Sequence, residues 1–140
     1  MVERDDLTTS AEQHFFFENE GEQILAVVHV PVQRHEAALL LLHGWAGYRI
    51  GPHRMLLKLA RAATEQGFVT MRFDFRGRGD SGGEPAVTTL STMVSDTVAA
   101  AHVLAEQYHA SRVALIGDCS GSEVAIGAAP LIAPGGLPLQ

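Results

Sequence analysis

Cysteine and tryptophan each occur once in the 140 residues, tyrosine twice, and ten basic residues face sixteen acidic ones. A lone cysteine forms no internal disulfide and excludes a cysteine-rich zinc site. The net charge of −6 lacks the concentrated basic face that nucleic acid or an anionic membrane requires. No apolar run approaches the roughly 18 residues of a membrane span. The charged opening Met1-Val2-Glu3-Arg4-Asp5-Asp6 is followed by no signal-like apolar stretch, so a cytoplasmic location is expected. Small molecules or other proteins remain as partners.

The length suits one domain with a real core. A polar leader is expected over residues 1–13. His14–Glu18 and Gln23–Val30, joined by Asn19-Glu20-Gly21-Glu22, read as an antiparallel hairpin. Ala37–Leu42 is continuously apolar, as in a strand buried on both faces. Met55, Leu56, Leu59, Ala62 and Ala63 recur at helical spacing, with Gly67 as a stop. Phe68–Phe75 reads as a strand feeding the loop Arg76-Gly77-Arg78-Gly79-Asp80-Ser81-Gly82-Gly83, too glycine-rich for regular structure. Thr88 or Thr89 can cap a helix running to about Tyr108, and Arg112–Gly117 reads as the next strand. Strands alternating with helices after a hairpin predict an α/β fold, a mostly parallel sheet with helices on both faces. Its body is expected over residues 14–129, followed by a Pro/Gly-rich tail over 130–140.

Ligands in such sheets lie beyond the carboxyl ends of the strands, where His43, the glycine loop and Cys119 fall. Gly117-Asp118-Cys119-Ser120-Gly121 fits a nucleophile elbow, Gly-x-nucleophile-x-Gly, whose flanking glycines permit the close approach of neighbouring chains. The frame selects Cys119. Making Ser120 the nucleophile would need glycines where Asp118 and Ser122 stand. The structural alternative is an inert, buried thiol.

His43-Gly44-Trp45-Ala46-Gly47, the segment from Phe73 to Ser81, and the Cys119 elbow occur in an order that resembles the α/β-hydrolase family. The run from His43 through Gly51-Pro52-His53-Arg54 to Ser81 is most similar to feruloyl-esterase-like and serine-aminopeptidase-like hydrolases. The Gly-x-Cys-x-Gly elbow is similar to that of dienelactone hydrolases and hydrolases associated with exosortase systems. The resemblance implies a thiolate nucleophile at Cys119 and an oxyanion hole from the backbone N–H groups of Trp45 and Ser120. It makes His43 and Gly44 structural members of the oxyanion loop, and calls for no cofactor or metal. His53, His102 and His109 read as loop-packing or solvated residues, and His14, His29 and His35 show no metal spacing. Gly77-Arg78-Gly79-Asp80-Ser81-Gly82 matches Gly-x-Gly-x-x-Gly, but Gly83-Glu84-Pro85 replaces the helix a dinucleotide site would need.

The family's catalytic acid and histidine follow strands seven and eight, so the fold is expected to be incomplete, lacking strands six to eight. Arg112–Gly117 would then be an edge strand and a route to self-association. The expected function is hydrolysis of small carboxylic esters or related acyl compounds. A catalytically inert fragment or interaction module is one alternative, and lactone hydrolysis or acyl transfer another.

Overall fold

The computed structural model describes residues 10–132. Residues 1–9 of the expected leader and the tail beyond residue 132 lie outside the described residues, whereas Ala11, Glu12 and Gln13, read as leader, pair with Val30, His29 and Val28 in the first strand ladder. Strands β1 (Ala11–Asn19) and β2 (Glu22–Val30) form the expected hairpin, with Asn19 opposite Glu22. The two turn residues, Glu20 and Gly21, take φ of 51° and 85°, the left-handed pair that matches strand twist in a two-residue turn. Strand β3 (Ala37–Leu42) leads through a 3-10 turn at Pro52–Arg54 to helix α1 (Met55–Glu65). Strand β4 (Val69–Phe73) is shorter at both ends than the Phe68–Phe75 reading, because Phe68 precedes the ladder and Asp74 and Phe75 already belong to the loop. Helix α2 (Leu90–Tyr108) follows, then β5 (Arg112–Gly117) and helix α3 (Ser120–Ile132). Thr89 caps α2 reciprocally with Thr92, at 3.1 and 3.0 Å, an arrangement that contributes about 1 kcal/mol. Helix α3 continues through Pro130 to Ile132, past the point where the proline suggested a break.

The sheet order is β1-β2-β4-β3-β5. β2 is antiparallel to both neighbours, whereas β4, β3 and β5 are mutually parallel. From β3 the chain crosses one way to β4 through α1. From β4 it crosses back past β3 to β5 through α2. The reversal makes the carboxyl end of β3 a switch point, where connections leave in opposite directions and open a crevice. Leu42 and Gly117 end their strands side by side there.

Alternation along the strands assigns the two faces. Leu40 and Leu42 of β3, Met71 and Phe73 of β4, and Val113 of β5 are buried in the larger core with Met93, Leu104, Val124 and Ala128 from α2 and α3. Leu41 faces the other side with Leu56 and Ala60 of α1. Each fully buried Leu or Phe contributes about 1.5–3 kcal/mol, so the larger core dominates. No described helix is long and apolar enough to cross a membrane.

The α1 side of the sheet also buries a polar pair. Arg72 of β4 donates from Nε to His29 Nε2 of β2 at 3.0 Å and from Nη1 to the Arg49 carbonyl at 3.3 Å. The other His29 nitrogen lies 3.4 Å from Glu12, which accepts from Arg61 Nε at 3.0 Å. Burial and the adjacent Arg72 charge push the His29 pKa down from 6.5 to about 4. Between those values the unfolded chain binds a proton that the folded chain refuses, so stability falls as pH drops through the window. Glu12 acts in the same direction. Burial raises its pKa, but Arg61's hydrogen bond and the neighbouring positive charges leave it below the ordinary value. Urea midpoints should therefore decline from pH 7 to pH 4, and His29→Gln, which keeps an acceptor for Arg72, should flatten that decline. An unchanged slope in His29→Gln would show that other groups control acid stability.

Among the described residues β5 is hydrogen-bonded on one side only, to β3. Ile116 on this edge strand is exposed, as are Ile126 and Leu131 of α3. An apolar free edge pairs with other chains. Light scattering should show a mass rising with concentration, and Ile116→Lys should reduce the rise; a monomer throughout would remove the expectation.

Candidate active site

Helix α3 begins where the backbone crosses the ends of β3 and β5. A Cβ at Gly117 would fall on the Gly121 carbonyl group, and one at Gly121 would lie 2.5 Å from the Leu42 oxygen and 2.8 Å from the His43 oxygen. Both positions therefore need glycine. Asp118 N–H donates to the Leu42 carbonyl at 2.9 Å, and Gly121 N–H closes the turn onto the Asp118 carbonyl at 2.8 Å. Between them Cys119 is exposed and has φ of 56°, a left-handed conformation costing about 1–3 kcal/mol for a residue with a Cβ. The strained residue is Cys119; Ser120 begins the helix. The turn thus lifts the thiol away from the sheet into solvent.

The segment after β3 lies against this turn. A Cβ at Gly44 would sit 3.4 Å from both Cys119 Cβ and the Asp118 oxygen. Trp45 N–H donates to Ser120 Oγ at 2.7 Å. His43 is fully buried. Its Nε2 accepts from Phe75 N–H at 3.1 Å, which leaves Nδ1 as the protonated nitrogen, 2.6 Å from the Gly44 carbonyl. Burial drives the His43 pKa below its ordinary value despite the Gly44 hydrogen bond, so the ring is held neutral with both nitrogens engaged. The ring ties the end of β3 to the loop after β4.

Two buried carboxylates fix that loop. Asp74 accepts Arg49 N–H at 2.7 Å, Arg49 Nη1 at 2.6 Å and Asp80 N–H at 2.9 Å. Gly79 has φ of 52°, and a Cβ there would collide with the Asp74 carboxylate. Asp96 of α2 accepts Arg76 N–H at 2.9 Å, Arg76 Nη2 at 2.7 Å and Asn19 Nδ2 at 2.9 Å. Arg76 also reaches Glu20, while the Asp80 side chain pairs with Arg49 at 3.0 Å.

The structure thus gathers His43, Gly44, Trp45, Cys119 and Ser120 at one switch point. It also shows what the sequence did not disclose: the Trp45 N–H is occupied by the Ser120 hydroxyl. Arg49 was missed, since its partner Asp74 is 25 positions away and no local pattern links them. None of the chain's histidines hydrogen-bonds the Cys119 thiol. His14, His35, His53, His102 and His109 are exposed, and His29 is committed to Arg72.

A family profile described as serine aminopeptidase, S33, matches residues 33–135. The chain is 33% identical over 102 residues to the human protein ABHD12B, covering 73% of this chain and 27% of that protein. Its fold is similar to that of Est1E from Butyrivibrio proteoclasticus, solved with ferulic acid bound, with a TM-score of 0.77, 19% identity, and coverage of 88% of this chain and 49% of that one. It is also similar to the Pyrococcus furiosus esterase Pf2001, with a TM-score of 0.71, 21% identity, and coverage of 91% and 49%. The chain spans about a quarter of the curated relative and about half of each solved structure.

The glycine crossing sets a stability test. Gly121→Ala should lower the unfolding free energy by about 1–3 kcal/mol or more, because its new methyl meets backbone oxygens with no flexible side chain to yield. Denaturant unfolding measures this, and a midpoint equal to that of the unsubstituted chain would refute the close approach.

Proposed function

Because the chain belongs to the serine aminopeptidase (S33) family and has the α/β-hydrolase fold, we propose that it carries the nucleophile part of a site for small carboxylic esters, with Cys119 as the attacking residue. The observation that carries this reading is the left-handed φ of Cys119 in a glycine-framed strand-to-helix turn, packed against Gly44. Such a turn is the conformation of a nucleophile elbow. The esterase assignment of Pf2001 and the ferulic acid bound to Est1E suggest an ester-type substrate.

In the proposed reaction the Cys119 thiolate attacks the acyl carbon, the carbonyl electrons move onto oxygen, and collapse expels the alkoxide to leave a thioester. The start of α3 favours an anion on its side. Ser120 N–H, first in the helix, has no intrahelical acceptor and can donate to the oxyanion. Trp45 N–H can join it once the Ser120 hydroxyl rotates away, so the second donor is gated by one side-chain torsion. Oxyanion donors of this kind are worth about 3–4 kcal/mol each in transition-state stabilisation. His43 has no role as base here, since both its nitrogens are engaged and burial keeps it neutral. With no histidine on the thiol among the described residues, acylation should outrun release of the acyl group. That same observation favours the second reading, a folded but catalytically inert module.

p-Nitrophenyl acetate separates the two. The esterase reading expects one equivalent of p-nitrophenol per chain, released faster than in urea-unfolded protein, with an acetyl group mapped to Cys119 by mass spectrometry. Cys119→Ala should abolish the burst. Ser120→Ala, which frees Trp45 N–H, should leave the burst intact or quicken it severalfold. Equal reaction by native chain, unfolded chain and Cys119→Ala would establish the inert reading.

A further inference from the structure

Beside the Cys119 turn, an open groove of about 850 Å³ runs between the Trp45–Tyr48 segment and the loop from Gly77 to Ala86. Its walls are aromatic and cationic. Trp45 and Tyr48 are each 43% exposed, enough to offer ring surface to a ligand. The Arg78 guanidinium lies 5.0 Å from the Trp45 ring centre. Arg78 Nε donates to the Trp45 carbonyl at 2.6 Å and Nη1 to the Gly77 carbonyl at 3.0 Å. Both acceptors are neutral, and among the described residues Arg78 forms no ion pair. Its charge is therefore fixed in position and uncompensated. The acid lining this groove, Asp80, is paired to Arg49 at 3.0 Å.

We propose that this groove binds a flat, aromatic carboxylate, with the Arg78 guanidinium meeting the carboxylate and the Trp45 ring stacking on the aromatic face. A planar guanidinium presents parallel donors that suit a carboxylate, and stacking between flat groups adds contact at little entropic cost. Because two carbonyl bonds already hold Arg78, little ordering accompanies binding. Asp80 adds repulsion that Arg49 offsets. The groove opens beside the Cys119 turn, since Trp45, which lines it, donates its N–H to Ser120 Oγ at 2.7 Å. The proposal rests on the esterase reading only for the origin of the carboxylate, which is either the acid released by hydrolysis or the free acid group of a half-ester.

Trp45 is the single tryptophan, so its fluorescence reports occupancy of this groove directly. In the Cys119→Ala chain, where no acyl transfer intervenes, benzoate represents the released acid and monomethyl terephthalate the half-ester. Saturable quenching by either, at least fivefold tighter than by the neutral isostere benzamide and weakened by added salt, is the expected result. Arg78→Met should erase the preference for the acid, and Arg78→Lys should retain part of it. Equal quenching by benzoate and benzamide, or an undiminished acid preference in Arg78→Met, overturns the proposal. Should Arg78→Met fail to fold, the comparison with benzamide on the unsubstituted Arg78 still decides. Absence of an acetyl adduct at Cys119 would overturn the esterase reading while leaving this binding result untouched.

Discussion

The structure depends on one backbone crossing, where the first turn of α3 passes over the ends of β3 and β5. Gly117 and Gly121 are in contact there, and Gly121 lies against the carbonyls of Leu42 and His43. No side chain fits between them. The proximity forces the intervening residue into a left-handed conformation, and Cys119 takes it. It also brings Gly44 so near that a Cβ there would meet Cys119 Cβ at 3.4 Å. Strand ends that are neighbours in the sheet become neighbours in chemistry because the helix starts without a gap.

That crossing needs rigid surroundings, and buried polar groups supply them more than the apolar core does. His43 joins β3 to Phe75, Asp74 joins Arg49 to Asp80, and Asp96 joins Arg76 to the β1–β2 turn through Asn19. Removing one partner from a buried pair costs about 3–5 kcal/mol because the other charge is stranded. Their benefit lies in position: the loops after β3 and β4 are held to one arrangement. Ser81 adds a further tie, donating to the Asp74 carbonyl at 2.6 Å and accepting from Leu25 N–H at 2.9 Å. Within the Gly-x-Gly-x-x-Gly run, Gly79 lies where any Cβ would strike Asp74, and Gly77 where one would strike Thr88 Oγ1.

Much of the architecture was legible in local pattern. The two-residue turn at Glu20-Gly21, the apolar run Ala37–Leu42 and the Thr89 cap each announce their element through nearby residues alone. Helix α3 was less legible, because Pro130 signals a break that the structure does not make. The end of β4 was blurred because Asp74 and Phe75 continue the apolar rhythm while serving the loop. His29 and Arg72 sit in strands at ordinary alternation, and nothing local marks them as a buried pair.

The sequence by itself determined the order of strands and helices, the glycines that frame Cys119, and the family to which the motifs belong. Those features depend on residues within about one helical turn of one another. Only the tertiary structure decided which distant groups meet. It gave the Trp45 N–H to the Ser120 hydroxyl, 75 positions away, and Arg49 to Asp74, 25 positions away. It engaged both nitrogens of His43 and, among the described residues, left Arg78 without an ion pair beside the Trp45 ring. Such contacts follow from how the sheet order folds the chain back on itself, and a side chain's hydrogen-bond partner is settled by that geometry, not by its neighbours in sequence.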